Sequence, residues 1–311
     1  MSVKKWWEQP HVALDTESTG TDPFTARIVT AAVVHMVPGN RPAAIRWLID
    51  PGVEVPTEAA AVHGYTNEKI AELLARHGGK PGGALRTLKG VVRPIPADVA
   101  LYEIVAQAAA TIGREQALVV HNAPYDCTLL EHEAGRYGVD PLTARPAGVA
   151  GVVDPMVIER AFDPYRKSCY KKGPDGTPCD QENRVHVCGG CRGGKWTCSG
   201  PNGGGCGSTD RTLTSLCAHY GVPLPGAHDA AVDAIASARL LQKLVAGWPQ
   251  MAAWRLPALH QHQIEWRAQQ QSGLRDFFDR VGKPNDGCCP AWPVHTPACA
   301  TAHRAIEEVA A

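Results

Sequence analysis

At 311 residues, 44% of them hydrophobic, the chain is long enough for one large domain or two small ones around a buried core. Its 31 basic and 31 acidic side chains cancel, so charge alone excludes a globally basic polyanion binder while leaving room for a local basic cleft. The first ten residues lack a continuous apolar core, and no later run reaches the roughly 18 apolar residues a bilayer requires, so a soluble, cytoplasmic protein is expected.

In chain order, residues 11–36 read as a strand pair. His11 to Leu14 leads into Asp15, a turn follows through Gly20, Asp22 and Pro23, and Arg27 to Met36 is β-rich. Ala44 to Ile49 suggests a third strand, ended by Asp50-Pro51-Gly52. Thr66 is an N-cap for a helix through Leu74, with Glu68 in its first turn. The Gly/Pro-rich stretch from His77 to Pro96 is expected to be a loop. Asp98 to Ile112 reads as helix, Ala117 to Val120 as a buried strand, Pro124 to Glu133 as helix, and Val149 to Val153 as a short strand. Residues 168–209 turn to Gly, Cys and polar residues. Helical periodicity returns at Leu213 to Tyr220 and from Asp229 to Val245. Strands followed by helices on a mixed sheet place the chain in the α/β class. Residues 1–246 are expected to form one domain carrying the 168–209 insertion, and 247–311 a helical extension with a Pro/Cys-rich tail.

The chemistry gathers in three acidic islands. Residues i and i+2 of a strand share a face, so Asp15 and Glu17 project together. Two close carboxylates repel unless a cation sits between them, and hard oxygen ligands suit Mg²⁺ or Mn²⁺. Read alone, the pair is equally two strand-end acids in a turn. Asp126 follows Asn122 just beyond the Val119-Val120 strand, where sites gather in open α/β sheets, though a first-turn acid favoured by the helix dipole is the bland reading. His228 and Asp233 bracket the start of the next helix. Six alanines between Ala227 and Ala238 make that helix slim enough to lie against the sheet. A histidine on the loop before it can take a proton from water near neutral pH.

These residues, in this order, resemble the DEDDh 3′–5′ exonucleases, the group containing the proofreading epsilon subunit of bacterial DNA polymerase III. Asp15-Thr16-Glu17-Ser18-Thr19-Gly20 with Arg27-Ile28-Val29 resembles the first exonuclease motif, and Val120 to Asp126 with Leu129 and Leu130 the second. Leu213 to Tyr220 and then His228 to Ala234 resemble the third, with the His-x₄-Asp spacing of the histidine subclass. Asp50-Pro51-Gly52 and Val62 to Thr66 match the segment between the first two. Tyr125 stands where phenylalanine is commoner and Ser18 where threonine is.

The resemblance covers about residues 11–245 and implies a ribonuclease-H-like fold. It also implies a two-metal hydrolysis of the 3′-terminal phosphodiester that releases nucleoside monophosphates, in the setting of DNA replication, repair or proofreading. By that likeness Asp15 bridges two Mg²⁺ or Mn²⁺ ions and Glu17 and Asp233 hold the one carrying the water. Asp126 holds the other through water, and His228 deprotonates the attacking water. Thr16, Thr19 and His63 are candidate contacts to the terminal nucleotide, His63 being equally a satisfied loop histidine, while Asn122 is expected to fix the loop that holds Asp126. A 3′–5′ exoribonuclease remains an alternative, since no residue distinguishes ribose from deoxyribose. A zinc-bearing nucleic-acid-binding or polymerase-accessory protein is the other, which the intact carboxylates oppose.

Seven of eleven cysteines lie between Cys169 and Cys217, and clustered reduced thiols favour metal over disulfides. Cys169, Cys179, Cys188, Cys191, Cys198 and Cys206, with His186, offer ligands for structural zinc that would replace the missing aliphatic core of the insertion; a loop with incidental thiols is the alternative. Lys171, Lys172, Arg184, Arg192, Lys195 and Trp196 could then grip a single-stranded or 3′-terminal nucleic acid. Cys217 is expected in the core, and Cys288, Cys289 and Cys299 are too sparse to assign. Gln271, Leu274, Phe277 and Phe278 resemble a sliding-clamp peptide, but they also form an ordinary helix face expected to pack back on the domain.

Overall fold

The computed structural model describes residues 5–164, 210–285 and 287–299, and the backbone of 185–187 and 195–197. The zinc and basic candidates of the insertion lie outside the residues whose side chains are described.

A meander opens the main sheet. β1 (His11–Ser18), β2 (Ile28–Met36) and β3 (Ala43–Ile49) pair antiparallel in turn. β6 (Leu118–Val119) then adds parallel to β1, and β7 (Val152–Val153) parallel to β6. The expected loop at 77–96 is instead a hairpin, β4 (Gly83–Leu88) and β5 (Val91–Pro96), which extends the sheet beyond β3. Lys89 and Gly90, with φ of 50° and 78°, form its two-residue turn, the backbone that matches strand twist. Pro94 and Pro96 are tolerated because β5 is an edge strand. Proline and glycine density had hidden a strand signal. The seven strands run in the order β5-β4-β3-β2-β1-β6-β7, the mixed α/β arrangement expected of a ribonuclease-H-like fold.

Strand alternation splits the core into two layers. Val12 and Leu14 of β1 face α3 (Ala97–Gly113) and α4 (Ala123–Arg136), in a cluster with Leu101, Ile104 and Leu129. Ala13 of β1 and Ala32 and Val34 of β2 face α7 (Ala230–Gly247). There Ala231, Ala234 and Ala238 are buried, and their short side chains let the helix axis approach β1 and β2 closely. Helix α1 (Thr57–His63) and α2 (Asn67–Arg76) cover β2–β4 through Val55, Ile70 and Leu74. Thr66 caps α2, accepting a hydrogen bond from the Lys69 N–H at 3.3 Å.

Two short helices, α5 (Pro155–Phe162) and α6 (Leu213–Tyr220), flank the insertion, in which β8 (Val185–Val187) and β9 (Lys195–Thr197) pair antiparallel. Arg211 donates from Nη2 to the Asp163 carbonyl at 2.8 Å and from Nε to the buried Glu159 at 2.7 Å. Residues 163 and 211, on either side of the insertion, therefore lie side by side.

The C-terminal extension forms α8 (Leu256–Val281), packed on α5 and β7. Its buried Gln263 accepts the Asp154 N–H at 2.7 Å and donates to the Val152 carbonyl at 3.3 Å. The far end of α8 departs from expectation. Gln271 is buried, Leu274 and Phe278 are half-buried, and Phe277 is 47% exposed, so these residues form neither one packed face nor one presented surface. The tail cysteines, unassigned by spacing, are also brought together: Cys289 and Cys299 are joined by a disulfide. Among the described helices none is long and apolar enough to cross a membrane.

Candidate active site

The carboxylates meet where β1 and β6 run side by side, at the end of the sheet from which α4 departs. Asp15 and Glu17 point from β1 toward α7, opposite Ala32 and Thr30 of β2, whose small side chains leave the space open. Thr16 points the other way and is buried. Its N–H and hydroxyl both donate to Asp126 Oδ1, at 2.9 and 2.6 Å. Thr16 thus spends both donors on holding an acid of α4 beside β1.

Asp126 stands in the first turn of α4, and the start of that helix is held from below. Asn122 adopts a left-handed backbone (φ 58°), and its N–H and that of Ala123 donate to the carboxylate of fully buried Asp154 at 3.1 and 3.0 Å. Asp154 also caps α5 by accepting from the Met156 N–H at 2.8 Å. The sequence marked Asp154 only as a strand end. An acid before proline at a strand end, Asp154-Pro155, was the available signal for a cap.

From α7, Asp233 accepts the N–H of His228 at 2.9 Å through Oδ2, while its buried Oδ1 has no hydrogen-bond partner. His228 is exposed, with φ 70°, two residues after Gly226. One ligand atom each from Glu17, His228 and Asp233 fall within 4.8 Å of one another. The neighbouring Asp229 points elsewhere. It caps α7 by accepting the Ala231 and Val232 N–H groups and pairs with Arg46 at 2.7 Å.

Crowding of like charge dominates the electrostatics. Burial, then repulsion by Asp126, Asp233 and Glu17, raises the Asp15 carboxyl well above the ordinary range. Burial, then repulsion by Asp233, Asp126 and Asp229, pushes Glu17 up to about 8. Asp126 is pushed up to about 7 by burial, against the lowering effect of its Thr16 hydrogen bonds. Asp233 is raised by burial, an effect the His228 N–H opposes. Among the described residues no salt bridge reaches any of the four acids. An orphaned buried oxygen and four unneutralised hard donors fit divalent cations such as Mg²⁺ or Mn²⁺.

The remaining candidates lie around this cluster. His63, the last residue of α1, is buried, accepts the Tyr65 N–H at 3.2 Å through Nδ1, and is lowered in pKa chiefly by burial. It lines a cleft of about 200 Å³ with Arg46, Tyr65, Lys69 and His228. Thr19 accepts the Arg27 N–H at 2.9 Å and closes the β1–β2 turn. The two departures from the motif pattern touch each other: Tyr125 is hydrogen-bonded to Ser18 and to the Gly20 carbonyl, tying α4 to the end of β1. A larger cavity of about 520 Å³ lies between residues 5–9 and the start of α8, away from the acids.

No family model matches the chain. It is 26% identical over 160 residues to the DNA polymerase III subunit epsilon of Rickettsia conorii, a match spanning 50% of this chain and 56% of that protein. Among solved structures, E. coli exonuclease I in complex with a dT13 oligonucleotide is similar at a TM-score of 0.49 and 15% identity, over 85% of this chain and 46% of that one. The exonuclease I of Methylocaldum szegediense gives 0.46 and 17%, over 86% and 46%. The sequence match falls on the same group as the motifs: this chain is similar to the DEDDh 3′–5′ exonucleases, represented by a polymerase III epsilon subunit.

Proposed function

We propose that this protein is a 3′–5′ exonuclease that hydrolyses the terminal phosphodiester of a DNA strand and releases nucleoside monophosphates. The observation that carries the reading is the convergence of four mutually repelling carboxylates, without cationic partners among the described residues, beside an exposed histidine. Asp15, Glu17, Asp126 and Asp233 would hold two divalent cations. When bound, such cations neutralise charge at the phosphoryl group and make water acidic enough to attack. His228 takes the proton from the attacking water; its place on the lip leaves it free to exchange that proton with solvent. Thr16 holds Asp126 in place, and Asp154 holds the helix that carries it. Likeness to a polymerase subunit supports DNA over RNA and a polymerase as partner.

The test uses DNA and RNA oligomers of matched sequence, labelled at either end, with Mg²⁺, Mn²⁺ or EDTA. Mononucleotides released from the 3′ end of DNA, in either metal and not in EDTA, are expected. Full activity of Asp15→Asn, or release from the 5′ end, would overturn the reading.

A further inference from the structure

Away from the acids, the tail folds back over α4. Trp292 is buried against the α3/α4 layer, and the His295 N–H donates to Thr128 Oγ1 at 2.8 Å, two residues beyond Asp126. This tail carries a second constellation. Cys289 and Cys299 are buried, with Cα atoms 5.6 Å apart. His295 Nδ1 lies 2.9 Å from Cys289 Sγ, and the ligand atoms of all three residues fall within 4.8 Å of one another.

A disulfide accounts for the meeting of the two sulfurs but not for the imidazole nitrogen that lies 2.9 Å from one of them. Two thiolates and one imidazole nitrogen are, however, a donor set that zinc takes in tetrahedral sites. The ring is also held in position independently of the sulfurs. Its backbone is fixed by Thr128, and it lies 6.2 Å from the ring of Phe24 in the β1–β2 turn.

We propose that Cys289, His295 and Cys299 bind a structural zinc ion that fastens the C-terminal segment to α4, the helix carrying Asp126. The disulfide and the zinc site are then alternative states of one cysteine pair. On binding, both thiols lose their protons and the sulfurs take up the edge of a tetrahedron with metal–sulfur bonds of about 2.3 Å. Solvent completes the fourth position. The site does not depend on the nuclease reading and is separate from any zinc held by the insertion.

The full chain, reduced and stripped of metal, is titrated with Zn²⁺ alone and with Co²⁺ alone. Relative to the unmodified protein, a Cys289→Ser/Cys299→Ser double variant and His295→Ala should each lose one equivalent of Zn²⁺. Each should also lose part of the thiolate-to-cobalt absorption. Should a variant fail to fold, alkylation of the unmodified protein decides, because Zn²⁺ should protect Cys289 and Cys299 from iodoacetamide by at least tenfold. Equal Zn²⁺ uptake by folded variants and parent, no protection, or a Cys289–Cys299 disulfide peptide recovered from protein prepared with Zn²⁺ would each overturn the proposal.

Discussion

Two groups of buried acids answer the same electrostatic problem in opposite ways. Glu133 on α4 is fully buried and fully matched: Arg27 Nε and Arg136 Nη1 each donate to it at 2.7 Å, and the Ile28 N–H at 3.1 Å. Glu159 is likewise matched by Arg211. Asp126, two helical turns before Glu133 on α4, and Asp233 receive N–H or hydroxyl donors, yet neither they nor Asp15 and Glu17 meet a side-chain cation among the described residues. Burial of charge is costly wherever it occurs. The protein supplies arginine to Glu133 and Glu159, and leaves the four clustered acids without a side-chain cation among the described residues.

The sharpest break in that contrast comes from neutralising the unmatched group. Asp15→Asn and Asp233→Asn should reduce nuclease activity to background while leaving the melting temperature in EDTA unchanged or raised, because each removes repulsion. A fall in melting temperature would show that these acids support the fold as Glu133 does. His228→Ala should cost on the order of 10²–10⁴-fold in rate with the fold intact, measured by single-turnover cleavage. Glu133→Ala should do the reverse, losing about 3 kcal/mol in denaturant unfolding by stranding two arginines and a peptide N–H, with the purified folded fraction still active.

Proton linkage sharpens the comparison further. Glu17 has a folded-state pKa of about 8 against an ordinary 4.5, so the folded state binds the proton more tightly than the unfolded one. Its contribution is complete below the ordinary value and is lost as pH rises through about 8. Metal-free protein should therefore melt lower at pH 8 than at about pH 5, and Mn²⁺ should restore the loss. A flat profile in EDTA would mean that the carboxylates do not repel as the geometry requires. The smallest effect is expected at the Ser18–Tyr125 contact. Tyr125→Phe should cost about 1 kcal/mol in unfolding free energy, because only a tie between α4 and β1 is lost and no ligand moves.

The acids of the candidate site were legible in the chain because they sit at regular positions in strands and helices. Asp15 and Glu17 obey strand alternation, Asp126 follows a strand at a helix start, and Asp233 follows a capped helix rich in alanine. The tie from Thr16 to Asp126 was not legible, because strand alternation alone does not show that an acid 110 positions away takes both of its donors. The hairpin at 83–96 was misread because its turn residues and edge prolines imitate a loop until a neighbouring strand is present to pair with them.

Sequence by itself determined the donor types, the α/β order and the likeness to the exonucleases, since these depend on local periodicity and on motifs within a few residues. Only the tertiary structure decided which acids are neutralised by arginine and which are not, and that His295 meets Cys289 and Cys299. Charge compensation and ligand convergence act through space over a few ångströms, between residues that the chain separates by anything from six positions to more than a hundred.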